Sequence, residues 1–237
     1  RSFVADCARL DSCPLGTDAT EGVQRIVDLL DALETAPLPT NDPQRPLTEA
    51  LGTYAILMDM YAPYQWKGLR QALTAAFSGD GGPLLDELDQ SIRRNPDGTY
   101  RDNSMDVFYA VSCTDRPTQD SVADLASMAS EWQKETIFGA YFAWANATCR
   151  EWPYPSAVGP HVVTAPGSPS ILVVSTSRDP ATPYEWGVEV AKSLSNARLL
   201  TYDGDGHTAY FNGSDCVDAV VDAYLLDGTT PADDVTC

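Results

Sequence analysis

Apolar residues recur at helical spacing through the first two-thirds of the chain, and turn-forming residues interrupt them. Val23, Ile26, Val27, Leu29, Leu30 and Leu33 fall on one helical face, which predicts an amphipathic helix over about 20–35. Pro37, Pro39, Pro43 and Pro46 then break the chain into a loop. A second helical run starts at Leu47-Thr-Glu-Ala, passes through Ile56, Leu57 and Met60, and ends at Pro63. Trp66 to Phe77 reads as a third helix, stopped by Ser78-Gly-Asp-Gly-Gly, and Leu84 to Ile92 as a fourth, followed by an Asn95-Pro-Asp-Gly turn. Asp120 to Ala147 carries one or two more helices, whose Trp132, Phe138, Tyr141, Phe142 and Trp144 form an aromatic stripe read as core in preference to a ligand box. The short apolar segment Phe108-Tyr-Ala-Val-Ser-Cys fits either a strand or a buried helix end.

At Trp152 the pattern changes. Trp152-Pro-Tyr-Pro, Pro160, Pro166, Gly167 and Pro169 make an extended crossing segment. Ile171-Leu-Val-Val-Ser-Thr follows, a continuous β-branched run of the kind buried on both faces of a parallel sheet. A helix from about Tyr184 to Leu194, a second strand Ala197-Arg-Leu-Leu-Thr-Tyr and a last helix from about Ser214 to Leu226 complete a βαβα unit. The fold class is therefore α/β with a parallel sheet, and two strands are too few for a complete one. Two regions are expected: a mainly helical region over 1–150 and an α/β segment over 151–237.

Charge narrows the function classes. With 15 Lys+Arg against 34 Asp+Glu the 237-residue chain carries −19, which argues against nucleic acid and against an anionic membrane surface. A strongly hydrated surface is the plain reading, and a field attracting cationic substrates the sharper one. No apolar run approaches the roughly 20 residues needed to span a bilayer. Two histidines and no Cys-x-x-Cys leave little for a zinc site, and no metal or cofactor is expected. Six cysteines fit disulfides in an oxidising, extracellular setting, secreted or at the cell surface. Six allow about 15 connectivities. Joining sequence neighbours predicts Cys7–Cys13, Cys113–Cys149 and Cys216–Cys237.

The candidate chemistry lies at the two strand ends. Reactive groups in parallel α/β sheets sit just beyond the carboxyl ends of strands. Asp179 follows the first strand, His207 follows the second, and adjacent parallel strands would bring the two tips side by side. An aspartate that accepts the imidazole Nδ1–H fixes the tautomer needed to deprotonate a hydroxyl. Gly204 and Gly206 permit a sharp turn into His207, and Pro180 and Pro183 stiffen the loop that carries the acid. Asp before His is also the order of the α/β-hydrolase triad.

Three stretches carry a family resemblance. They are Ile171-Leu-Val-Val-Ser-Thr-Ser-Arg-Asp-Pro-Ala-Thr-Pro-Tyr-Glu, then Ala197-Arg-Leu-Leu-Thr-Tyr-Asp-Gly-Asp-Gly-His-Thr, then the tail from Cys216 to Cys237. Together they resemble the C-terminal portion of the tripeptidyl-aminopeptidase-like (TAP-like) α/β-hydrolases of actinobacteria. The Cys7…Cys13-Pro-Leu-Gly opening and Val111-Ser-Cys-Thr-Asp resemble the same family. The resemblance implies that Asp179 is the triad acid and His207 the triad base, with Thr182 orienting the acid. It also implies that the helices before 150 form a cap restricting access to peptide ends.

One element of that family is missing. Gly-x-Ser-x-Gly, the nucleophile elbow, occurs nowhere in 1–237. The serine, the oxyanion donors and the remaining strands are expected on another segment, an N-terminal fragment of the same precursor, and this chain alone is expected to be inactive. Asp115 is a candidate for binding a substrate's α-ammonium group, or else a cap for the helix starting near Asp120. His161 reads as a solvated loop residue, and Asp203 and Asp205 as turn residues. The function that fits is a serine exopeptidase acting on peptides. The alternatives are a carboxylesterase or lipase of the same fold, or a non-catalytic peptide-binding relic.

Overall fold

A computed structural model describes residues 1–116, 118, 120–232 and 235–237. The chain forms two compact units: one of Arg1, Phe3–Met58 and Lys67–Pro160, and one of Ser2, Asp59–Trp66 and His161–Cys237.

The first unit is helical. It contains α1 (Ser2–Cys7), α2 (Ala19–Thr35), α3 (Glu49–Asp59), α4 (Trp66–Phe77), α5 (Gly82–Ser91), α6 (Ser104–Asp115), α7 (Val122–Trp132) and α8 (Gly139–Ala145), with α1, α3 and α4 each reaching the boundary between the units. Asp18 starts α2 by accepting the Thr20 and Glu21 amides at 2.8 and 2.9 Å, a cap that typically stabilises by about 1 kcal/mol. Ile26, Leu30 and Leu33 line the buried face of α2, as their spacing requires. Two disulfides, Cys7–Cys13 and Cys113–Cys149, lie within this unit.

Two expectations for this unit are sharpened or corrected. The segment 108–113 is helix and not strand, lying within α6, with Cys113 buried near its C-terminal end and Val107, Phe108 and Val111 exposed. The aromatic stripe is not core: Trp132, Phe142 and Trp144 are each about two-fifths exposed, and the small residues Gly139 and Ala143 form the buried face of α8.

The second unit carries the sheet. β1 (Ile171–Arg178) pairs in parallel with β2 (Ala197–Asp205), from Ile171↔Ala197 to Thr176↔Tyr202, and α9 (Tyr184–Ser193) crosses between them. α10 (Asp215–Asp227) follows and packs Val217 and Val221 with Leu200 and Ala209 in the core of this unit. A third strand escapes the sequence pattern because it has two residues: β3 (Val235–Thr236) pairs in parallel with β2, and the Cys216–Cys237 disulfide ties it to the start of α10. The sheet order is β1-β2-β3, so β1 has one paired edge among the described residues. β1 is only partly covered: the consecutive Ser175 and Thr176, on opposite faces, are both buried, whereas Val174 is 36% exposed.

Candidate active site

Parallel pairing of β1 with β2 aligns their carboxyl ends, and the ladder closes at Arg178↔Asp205 after an irregularity between Thr176 and Arg178. Arg178 secures this end. Its Nη1 donates to Asp203 at 2.7 Å and its Nε to Asp205 at 2.9 Å, while Ser177 Oγ donates to Asp203 at 3.0 Å. Asp203 and Asp205 are therefore ion-paired residues of β2, not turn residues. Asp203 and Asp205, separated by Gly204, thus share one cationic partner, Arg178.

Asp179 is the first residue beyond β1. Its Oδ1 accepts the Ala181 and Thr182 amides, both at 2.8 Å, and its Oδ2 accepts the Thr182 hydroxyl at 3.1 Å. These bonds form a turn closed by the residue's own side chain, the local geometry that aspartate favours. The helix that follows is entered through Pro183 without a side-chain cap, so Asp179 does not cap α9 directly.

His207 reaches the same carboxylate from the loop after β2. Its Nδ1 lies 3.0 Å from Oδ2 and 3.1 Å from Oδ1 of Asp179, with Thr182 Oγ1 at 3.4 Å. The Asp179 side chain is 4% exposed and the His207 side chain 32%. Burial pushes the Asp179 carboxyl up, but the Thr182 and Ala181 amides and then His207 outweigh it and hold the carboxyl below its ordinary value. An ionised carboxylate can only accept, so Nδ1 carries the proton and the Nε2 lone pair has no hydrogen-bond partner among the described residues. That arrangement suits a general base.

The loop bearing His207 is braced by residues the sequence reading did not single out. Gly206 has φ +103°, and a Cβ there would stand 2.9 Å from both Pro63 Cδ and the Tyr61 carbonyl oxygen. The His207 amide donates to that Tyr61 carbonyl at 2.6 Å. Thr208 is held at φ +69°, a costly conformation for a β-branched residue. Asn212 spans this corner, its Nδ2 donating to the His207 and Thr208 carbonyls at 3.2 and 3.1 Å. The one sequence signal for this bracing was Gly206 itself.

Two further candidates have their own surroundings. Asp115 ends α6 and is exposed. It does not cap the next helix, because Ser121 and Asp124 form a reciprocal capping box at the start of α7. His161 is exposed in the crossing segment. Among the described residues no group of His, Cys, Asp and Glu could hold a metal ion, and no helix is long and apolar enough to cross a membrane.

Residues 134–237 match the family model described as TAP-like protein. This part of the chain belongs to the TAP-like family. The TAP-like match covers both strand ends, Asp179 and His207, and the Cys216–Cys237 closure, and the fold is the C-terminal part of an α/β-hydrolase. Carboxylesterase B of Mycobacterium tuberculosis is 40% identical over 243 residues, covering 99% of this chain and 46% of that protein. Serine protease Hip1 of Mycobacterium tuberculosis is 37% identical over 247 residues, covering 100% of this chain and 47% of that protein. Tripeptidyl aminopeptidase of Streptomyces lividans is 30% identical over 181 residues, covering 74% of this chain and 34% of that protein. The chain spans about half the length of the mycobacterial relatives it matches.

Proposed function

We propose that Asp179 and His207 are the acid and base of a serine hydrolase whose nucleophile lies outside residues 1–237, and that the assembled enzyme is an exopeptidase of the tripeptidyl-aminopeptidase type. The observation that carries this reading is the hydrogen-bonded pair itself, with Nδ1 3.0 Å from a carboxylate that is 4% exposed. His207 Nε2 takes the serine proton as the oxygen attacks the carbonyl carbon of the substrate. It then returns that proton to the departing amine, and water hydrolyses the acyl-enzyme by the same relay. Asp179 holds the imidazole in the required tautomer and offsets the positive charge that forms on it. Thr182 orients the acid through its amide and hydroxyl.

The partner is an N-terminal portion of the same precursor, carrying Gly-x-Ser-x-Gly and the remaining strands. The edge of β1 that is unpaired among the described residues and the twofold length of the mycobacterial relatives support it. Residues 1–150 would serve as the cap that limits entry to peptide ends, and 151–237 as the hydrolase segment. Three disulfides support a secreted or cell-surface setting, where thiols are oxidised.

The 40% identity to a protein named carboxylesterase B favours a second reading, an esterase using the same pair. Unblocked tripeptide amides, N-blocked peptide amides and short-chain esters, each offered to the intact protein, separate the two. Cleavage of the unblocked amides alone supports the exopeptidase, and turnover of esters alone supports the esterase. Turnover of either class that survives His207→Ala overturns both.

A further inference from the structure

The segment Asp59–Trp66 lies about a hundred residues before the crossing segment, yet it belongs to the same compact unit as His207. α3 ends at Asp59, the chain turns through Met60 and Tyr61, Ala62 is buried, and Pro63–Gln65 forms a single 3₁₀ turn. This corner meets the loop of the base at two points. The Tyr61 carbonyl accepts the His207 amide at 2.6 Å, and the Tyr61 ring lies edge-to-face with the imidazole, with centroids 5.3 Å apart and planes at 73°.

We infer that Tyr61 is a positioning residue for the base, fixing the backbone of His207 through its carbonyl and the imidazole through its ring. The inference deepens the serine-hydrolase reading and rests on it. The hydrogen bonds to Asp179 hold one end of the imidazole, but Asp179 offers two oxygens at nearly equal distances, 3.0 and 3.1 Å. The ring can therefore rock between them, and Nε2 swings through the widest arc. An aromatic edge packed against the imidazole limits that motion. The backbone bond sets where the side chain begins, and Gly206 is required for it, since a Cβ would stand 2.9 Å from the accepting carbonyl. Burial, and then the charge of Asp179, push the Tyr61 phenol up, so it stays neutral and adds no second anion beside the acid. Displacing a reacting group by about 1 Å costs on the order of 100-fold in rate, so restricting this swing bears on kcat.

The test compares Tyr61→Phe, which keeps the ring, with Tyr61→Leu, which does not, in the intact protein. Tyr61→Leu is expected to lower kcat by about tenfold or more with KM unchanged, while Tyr61→Phe restores it. The proton resonance of His207 Nδ1–H, sharp when locked to Asp179, should stay sharp in Tyr61→Phe and broaden in Tyr61→Leu. Tyr61→Met, an unbranched chain of similar reach, serves where Tyr61→Leu does not fold. Wild-type kcat and a sharp resonance in a folded ringless variant overturn the inference. His207→Ala keeps the two readings apart. If it turns over substrate like wild type, the hydrolase reading fails, while the resonance still decides whether Tyr61 positions the imidazole.

Discussion

Replacing Asp179 by Asn changes one atom, and the structure dictates which way the new amide must face. Asp179 Oδ1 accepts two backbone amides at 2.8 Å, from Ala181 and Thr182. Only the oxygen of an Asn can take that place. The reverse orientation would set an NH₂ against two N–H donors and leave both unsatisfied, at about 1–3 kcal/mol each. The Asn nitrogen is thus driven to the Oδ2 position, 3.0 Å from His207 Nδ1, where it donates. The nearer contact of Nδ1 is then a donor, which favours the tautomer with the proton on Nε2 over one donating to the retained oxygen at 3.1 Å, and the atom needed to deprotonate a serine is itself protonated. The loop keeps its geometry, because the two amide bonds and the Thr182 hydroxyl still find partners. The expected loss in kcat is about a thousand- to ten-thousand-fold, about 4–5.5 kcal/mol in the barrier, with KM and melting temperature little changed. Steady-state kinetics on the intact protein measure the loss, and ¹⁵N spectra of the imidazole report the tautomer. A folded variant with the proton on Nε2 and wild-type kcat would refute the assignment of His207 as base.

Four further outcomes can be measured. Asp179 is held below its ordinary value, so it stabilises the fold above its unfolded pKa of about 3.9, and that stability is lost as pH falls through the lower folded value. A ¹³C titration should give its midpoint below the unfolded value, and one above it would contradict the bonding described. Gly206→Ala should lower kcat more than stability, because φ is +103° and the new Cβ presses on the Tyr61 carbonyl; kinetics beside thermal melting decide it. Cys216→Ser with Cys237→Ser opens a loop of sequence separation 21 and should cost about 3 kcal/mol, read from urea midpoints under oxidising conditions. Asp115→Asn should raise KM for unblocked peptides and leave N-blocked ones unaffected if this carboxylate meets an α-ammonium group; equal effects on both would end that role.

Helices announced by a clean apolar stripe were legible in the sequence to within a few residues. Trp66–Phe77 is bounded by proline before and glycine after, and α4 spans that range. Misreadings occurred where composition and burial part company. The run 108–113 is apolar enough for a strand, but Cys113 is its buried residue, and the helical spacing of the exposed Val107, Phe108 and Val111 carries no polar partner to reveal the outer face. β1 reads as a doubly buried strand and is half-exposed, because burial belongs to the sheet around a strand and not to the strand alone. β3 was invisible, since two residues carry no period; the Cys216–Cys237 bridge holds it in register with Leu200 and Thr201.

At the site the divide is between local and non-local support. The local bonds that fix Asp179 lie within five consecutive positions: it accepts from Ala181 and Thr182, with Pro180 inside the turn and Pro183 just after it. A short motif can announce such a device, and Asp-Pro-Ala-Thr-Pro did. His207 is held from three places: Asp179 on one side, Asn212 five residues ahead, and Tyr61 from nearly 150 residues upstream. No spacing rule links Tyr61 to His207, because the link depends on the chain returning after a long helical excursion. The trace of that return within the sequence is Gly206, where a glycine is needed for two reasons at once, its positive φ and the carbonyl and proline ring pressed against it. The consequence for mechanism is an asymmetry. Asp179 is held by local chemistry and should tolerate changes elsewhere in the chain, whereas His207 depends on a distant corner and is the member of the pair whose alignment remote substitutions can degrade.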